Sequence, residues 1–136
     1  MRLAIGKGTI TMRVLIVEAE EDERLRLAVV LRGEGLSVRA VASADEALGA
    51  LAREGSAIQV ALVDVLLPGL SGARLARLLK ERWPALRVVL TSPFHLSPGQ
   101  LARLDCDGSG YVDWHAEPAG LLASLRGPRA VASLLA

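Results

Sequence analysis

Only one of the 136 residues, Cys106, is a cysteine, so the chain closes no internal disulfide, which suits a reducing compartment. Aromatic residues make up 3% of the sequence, which leaves Leu, Ala and Val to fill the core. Long apolar runs are missing: Leu27–Leu31 falls far short of the roughly 20 residues a membrane span needs. Met1–Met12 carries Arg2 and Lys7 but no apolar leader segment. There is no excess of charge, since the net is +1 with acids and bases interspersed, so charge alone names no partner. The arginines form no stripe along one helix, which argues against nucleic acid. Lysine is scarce, with only Lys7 and Lys80. The expectation is one cytoplasmic domain with no membrane contact.

What is present centres on Gln59–Gly72, QVALVDVLLPGLSG. Val60-Ala61-Leu62-Val63 has the composition of a strand buried on both faces of a parallel sheet. The run stops at Asp64, passes through Pro68-Gly69, and opens a helical pattern at Ser71-Gly72. A carboxylate at the C-terminal end of such a strand lies where open α/β sheets keep their chemistry. A solvated Asp that merely ends a strand is the plainer alternative, and the other strand ends decide between them.

Residues 1–12 fit no later pattern and read as a tail or an added edge strand. Arg13–Val17 is a strand that leads into the acidic run Glu18-Ala19-Glu20-Glu21-Asp22-Glu23. A helix follows from about Asp22 to Glu34, with Leu25, Ala28, Val29 and Leu31 as its apolar side. Leu36–Val41 is the second strand, and Ser43-Ala44-Asp45-Glu46 is a capping box that starts a helix ending near Gly55. After the central strand, a helix runs from Ser71 to Trp83 with Leu75, Leu78 and Leu79 inward, stopped by Pro84. Leu86–Thr91 is the fourth strand. Ser97-Pro98 caps a helix that turns Leu101 and Leu104 inward. Gly110–Trp114 is the fifth strand, and Glu117-Pro118 starts a last helix that Gly127-Pro128 breaks. The domain is expected over 13–127, with a short apolar tail at 128–136 and too few residues after Arg126 for an output domain.

Five strands alternating with five helices predict an α/β fold, a doubly wound parallel sheet with helices on both faces. The strand ends then gather Glu18, Asp64, Thr91 and Trp114 around one crevice. That crevice does not suit a nucleotide, because the loop after the first strand is acidic and lacks the glycines that let backbone N–H groups meet phosphate. Carboxylates from two strand ends suit a hard divalent cation, Mg²⁺ foremost. With a hydroxyl donor from Thr91, such a carboxylate can accept a phosphoryl group as an acyl phosphate. No nucleophile–base pair of a hydrolase is visible.

Taken in order, VLIVEAEEDERLR, SADEALGAL, LVDVLLPGLSG, VVLTSP and GYVDW resemble the receiver domain of bacterial two-component response regulators, from Arg13 to about Arg126. The core of the match is Asp64, Pro68, Gly69 and Gly72. The resemblance implies a flavodoxin-like five-stranded sheet of order 2-1-3-4-5 and Asp64 as phosphoacceptor. It also implies Mg²⁺ held by Glu18, Asp64 and the backbone carbonyl of Leu66. Thr91 would be the switch hydroxyl and Tyr111 the switch aromatic. Partners would be a histidine kinase or phosphotransfer protein, and a second copy through the fourth helix, fifth strand and fifth helix. No enzymatic activity of its own is expected.

Two departures stand out. Family members end the first strand with two adjacent acids, where this chain has Glu18-Ala19, and follow the fifth strand with Lys, where it has Trp114-His115. A hydrogen bond to a charged group contributes about 1.5–3 kcal/mol, and inverting a 1:99 equilibrium takes about 5.5 kcal/mol. Loss of the Lys contact and a weakened metal therefore remove much of the drive. The expected function is a degenerate receiver in phosphorelay signalling, with Mg²⁺ held weakly or lost; the alternative is a phosphorylation-independent interaction module. His115, when protonated, would partly replace the missing cation, or else it is a loop residue facing solvent. Trp114 either fills the Lys space or anchors a partner. The run from Asp105 to Asp113 has the acids and central Gly of a calcium loop, but Ala116 stands where the bidentate Glu belongs, so calcium is not expected.

Overall fold

A computed structural model of the chain describes residues 3–5, 8–10, 12–93, 96–103, 110–113 and 117–127; for 3–5, 8–10 and Leu101 it describes the backbone only. The main sheet is built from β3 (Arg13–Val17), β4 (Ser37–Val41), β5 (Val60–Asp64), β6 (Arg87–Ser92) and β7 (Gly110–Asp113). All neighbours pair in parallel, in the order β4-β3-β5-β6-β7. Counting only these strands, that is the expected order 2-1-3-4-5. The intervening helices are α1 (Glu21–Gly33), α2 (Ala44–Glu54), α3 (Gly72–Arg82), α4 (Pro98–Arg103) and α5 (Pro118–Arg126). The described N-terminal residues add no edge strand to the main sheet. Instead, β1 (Leu3–Ile5) and β2 (Gly8–Ile10) pair with each other as an antiparallel hairpin outside the main sheet. Pairing across a two-residue connection closes a short loop, which loses less chain entropy than a distant pairing.

Period-two alternation divides the core between the two faces of the sheet. On one face Leu15, Val17, Ala61, Val63, Val88 and Leu90 meet Ala47, Leu51, Leu75 and Leu79 of α2 and α3. On the other Val14, Ile16, Val60, Leu62 and Val89 meet Leu27 and Leu31 of α1 and Leu121 and Leu125 of α5. Every residue of β5 is buried, as a central strand covered on both sides requires. The aliphatic core expected from the scarcity of aromatics is the one observed.

The helix ends follow local chemistry. Ser71 Oγ caps α3 by accepting from the Arg74 N–H at 3.3 Å, and Ser43 Oγ accepts from the Glu46 N–H at 3.2 Å. Glu46 reaches back as a capping box requires, but to the Ala42 N–H at 2.6 Å, one residue before the cap. The inner face of α1 differs from the sequence expectation. Leu25 and Val29 are each 61% exposed, whereas Glu23, Leu27, Ala28 and Leu31 are buried. Stepping by four and three residues from Glu23 selects that stripe, and a polar residue at its start hid it. Leu104 and Trp114 lie outside the described residues, as does the side chain of Leu101.

At the base of the sheet Glu54 bridges Arg13 at 2.7 Å and Arg39 at 2.8 Å, tying the last turn of α2 to β3 and β4. Burial pushes the Glu54 carboxyl up, but the two guanidinium groups outweigh it and hold the group below its usual value. At the opposite end, Gly72 opens α3 against the backbone of the central strand. A Cβ there would lie 2.0 Å from the Asp64 carbonyl oxygen and 2.7 Å from the Val65 Cα. Gly72→Ala therefore destabilises by about 1–3 kcal/mol through overpacking. Gly33→Ala, whose Cβ would meet nothing within 4 Å, is neutral or stabilises by up to about 1 kcal/mol. Denaturant midpoints of the two variants check this: equal midpoints would show that helix α3 does not rest on the Asp64 backbone.

Candidate functional site

Strand register builds the site. Val17 pairs with Val63, so Glu18 follows at the level of Asp64, and Asp64 pairs with Thr91. Alternation from Ile16, Leu62 and Val89 places all three side chains on the α1–α5 face, at the C-terminal edge of the sheet. All three are buried, Glu18 at 1%, Asp64 at 4% and Thr91 at 2% exposure. The three strand ends predicted to share a hollow do share it. Trp114, the fourth, lies outside the described residues, as do His115, His95, Cys106, the calcium-like segment from Asp105 to Ser109, and Lys7.

The turn beyond the central strand is tied down. Asp64 Oδ1 accepts from the Leu66 N–H at 2.9 Å, and the Val65 N–H donates to the Thr91 carbonyl at 2.9 Å. Leu66 itself is 52% exposed beside the hollow. On the other side the Glu18 N–H donates to the Val41 carbonyl at 3.0 Å, and Glu18 Oε1 accepts from the Glu20 N–H at 3.3 Å. Glu18 Oε2 has no donor among the described residues and is fully buried. Burial pushes the Glu18 carboxyl up to about 9, reinforced by hydrogen bonding to the Asp64 carboxyl, by the charge of Asp64 and by Glu23; the Glu20 N–H works the other way. Near neutral pH, Glu18 is therefore a protonated acid facing the Asp64 carboxylate.

Glu20, the nearest acid after Ala19 in the sequence, is engaged elsewhere. Its carboxylate caps α1, accepting from the Asp22 N–H at 3.2 Å and the Glu23 N–H at 2.8 Å. Arg24 clamps the same loop by donating to the carbonyls of Glu18 at 3.0 Å and Ala19 at 3.3 Å. Lys80 is remote: its Nζ donates to the Leu86 carbonyl at 3.2 Å, at the base of the sheet. Among the described residues no set of three metal-binding side chains assembles. The donors that do converge fit a divalent cation in part: a buried orphan oxygen on Glu18 and a carboxylate on Asp64, without the second acid of the first strand.

Tyr111 is on the other face. It pairs in register with Leu90 and packs against the core beneath α2 and α3. Burial raises its hydroxyl above the usual phenol value, as does Asp113, against hydrogen bonds to the Ser92 side chain and the Leu96 backbone. The sequence reading missed two residues. Glu23 is a buried acid paired with Arg26 and close enough to push on Glu18. Ser92 is the fully buried partner of Tyr111. Period-two counting from Leu90 would have put Ser92 on the face of Tyr111; nothing local marked Glu23.

The pH response follows from the raised Glu18. Its folded value lies above the ordinary value of 4.5, so the folded state holds the proton longer and stability falls as pH rises from about 4.5 to about 9. Glu18→Gln, which mimics the protonated acid, flattens that decline and is on the order of 1–3 kcal/mol more stable at pH 8 without divalent cations. Urea titrations of both proteins at pH 5, 7 and 8.5 measure it, and parallel pH profiles would refute the shared proton.

The fold and site have known counterparts. The pattern of the response regulator receiver domain matches residues 14–126. The chain is 35% identical over 113 residues to the transcriptional regulatory protein YkoG of Bacillus subtilis (strain 168), a match covering 83% of this chain and 49% of that one. It therefore spans about half the length of that relative. Among solved structures, the putative response regulator from Chloroflexus aurantiacus J-10-fl is 26% identical with a TM-score of 0.74, over 83% of this chain and 93% of that one. The BeF3-activated receiver domain of Klebsiella pneumoniae RstA is 28% identical with a TM-score of 0.73, over 84% and 95%. Receiver domains are signalling modules that meet histidine kinases or phosphotransfer proteins and generally use Mg²⁺. With Asp64 at the end of the central strand, and matched over most of its length, the chain belongs to the response-regulator receiver family of two-component signalling.

Proposed function

We propose that this receiver is degenerate: Asp64 accepts phosphate slowly and holds Mg²⁺ weakly. The observation that carries this reading is the pair of carboxyls in the buried hollow, Glu18 and Asp64, with Ala19 in place of a third acid and Glu20 committed to the helix cap. An Asp64 oxygen attacks phosphorus, the bond from phosphorus to the donor's histidine nitrogen breaks, and an acyl phosphate forms. Glu18, Asp64 and the Leu66 carbonyl would hold the cation that neutralises the transferred oxygens. Before it can do so Glu18 must release its proton, which further weakens the metal near neutral pH. Thr91 would donate to the phosphoryl group, and Tyr111, held by Ser92 and Leu96, would carry the change to the α4–β7–α5 face, where a second copy docks. In the sequence Trp114 takes the place of the family's lysine, which leaves no ammonium group at that position to pair with the phosphoryl oxygen.

The raised Glu18 also favours the second reading, a module whose contacts are constitutive, because a neutral acid beside Asp64 needs no cation. Transcriptional output, which its name gives to the Bacillus relative, is only a proposal here, since the chain spans about half of that protein. The first expected result is a shallow response to acetyl phosphate or beryllofluoride with Mg²⁺, half-complete only at millimolar cation and abolished by Asp64→Ala. A tight, saturable response would refute degeneracy; no response at any Mg²⁺ concentration would leave the constitutive module.

Exposed apolar side chains indicate where the phosphodonor docks. Leu25 and Val29, four residues apart, lie on the helix whose first turn borders the site, and Leu66 is exposed on the turn beside Asp64. Such groups on a surface mark a contact region. In Leu25→Glu/Val29→Glu, transfer from a phosphorylated histidine kinase slows at least tenfold while the acetyl phosphate response is unchanged. Equal slowing in both assays would assign the two residues to folding instead.

A further inference from the structure

β4 ends the main sheet, and a groove of about 480 Å³ runs along it beside α2. That volume lies within the roughly 300–1,000 Å³ of small-ligand sites. Three arginines from three elements line it: Arg24 of α1, Arg39 of β4 and Arg53 of α2. Each has donors to spare. Arg24 commits only Nη1, to the carbonyls of Glu18 and Ala19, and Arg39 commits Nε to Glu54. Arg53 has no hydrogen-bond or ion-pair partner among the described residues. It lies across Gly49, where a Cβ would meet its Nη1 at 3.3 Å and nothing else. Gly49 stands inside α2, where glycine is the least favourable residue after proline. No packing against the fold requires it, and its effect is to leave the groove wall open beneath Arg53.

The strand edge itself is closed to a further strand. The Ser37 N–H and the Val41 carbonyl bond towards β3, so Val38, Ala40 and Ala42 turn their backbone groups to the free edge. There the Val38 carbonyl accepts from Arg32 Nη2 at 3.3 Å, and the Ala42 N–H donates to Glu46 Oε2 at 2.6 Å. A strand added from another chain would have to break both bonds. Small anions face no such obstacle. Guanidinium forks pair with phosphate and carboxylate oxygens. Donors converging from two helices and a strand suit the tetrahedral oxygens of a phosphate better than the two coplanar oxygens of a carboxylate. Asp45, exposed on the same groove, accepts hydroxyl protons and repels a polyanion. No aromatic side chain lines the groove to stack on a nucleobase.

We propose that the groove between β4 and α2 binds a phosphate monoester of a polyol. The phosphate sits on Arg24, Arg39 and Arg53, and the hydroxyl groups donate to Asp45. Gly49 provides the room that lets Arg53 close over the ester.

Calorimetric titration of the full chain with ribose 5-phosphate, without divalent cations, reads the site. Saturable one-to-one binding is expected, and ribose alone should give none. Arg53→Ala should weaken binding about tenfold or more, as loss of a charged hydrogen bond implies, whereas Arg77→Ala, on the exposed face of α3, should leave it unchanged. Gly49→Met, a better helix former that fills the wall, should abolish binding without lowering the thermal midpoint. Asp45→Asn should weaken ribose 5-phosphate but not inorganic phosphate. Absence of saturable binding, or equal loss in Arg53→Ala and Arg77→Ala, overturns the proposal. So does full binding in Gly49→Met. Tighter binding of a polyglutamate peptide than of ribose 5-phosphate also overturns it and gives the groove to an acidic segment of a partner protein.

Discussion

Two acids from strands far apart in sequence share one buried hollow, and much of this protein's behaviour is a consequence. Burying a charge is unfavourable unless it is paired, and here the Asp64 carboxyl acts on the Glu18 carboxyl through a hydrogen bond and through its charge. The hollow therefore settles with one proton held on Glu18 and one unpaired oxygen, Oε2, aimed at nothing described. Two carboxyls brought together at strand ends are the kind of oxygen donors that a hard divalent cation takes.

The surrounding structure keeps the hollow from rearranging. Parallel pairing fixes Glu18, Asp64 and Thr91 at one level. The Leu66 and Val65 N–H groups hold the turn, and the close seat of Gly72 leaves α3 no room to shift against the central strand. On the far side the Glu20 cap and the Arg24 bond to the Glu18 carbonyl hold the acidic loop in place. The outer side of α1, the helix that follows this loop, presents Leu25 and Val29 to solvent.

The legible parts of the fold were those written in short-range patterns. Val60–Val63 declared a buried strand, Ser71 and Ser43 declared helix starts, and both appear in the structure within a residue of where they were expected. The first helix was misjudged on its inner face because Glu23, an acid, sits in the buried stripe next to Arg26. The N-terminal residues gave alternation too short to distinguish an edge strand from a self-paired hairpin.

By itself, then, the sequence determined the order of elements from Arg13 onward, the family, and the placing of Glu18, Asp64 and Thr91 at strand ends, because these depend on hydrophobic period and on residues adjacent in the chain. Only the tertiary structure decided that Glu20 caps the first helix, that Lys80 is bonded at the opposite end of the sheet, and that burial beside Asp64 raises the Glu18 carboxyl. Each of those outcomes depends on distance and burial between groups that the chain brings together only on folding, and no local pattern encodes them.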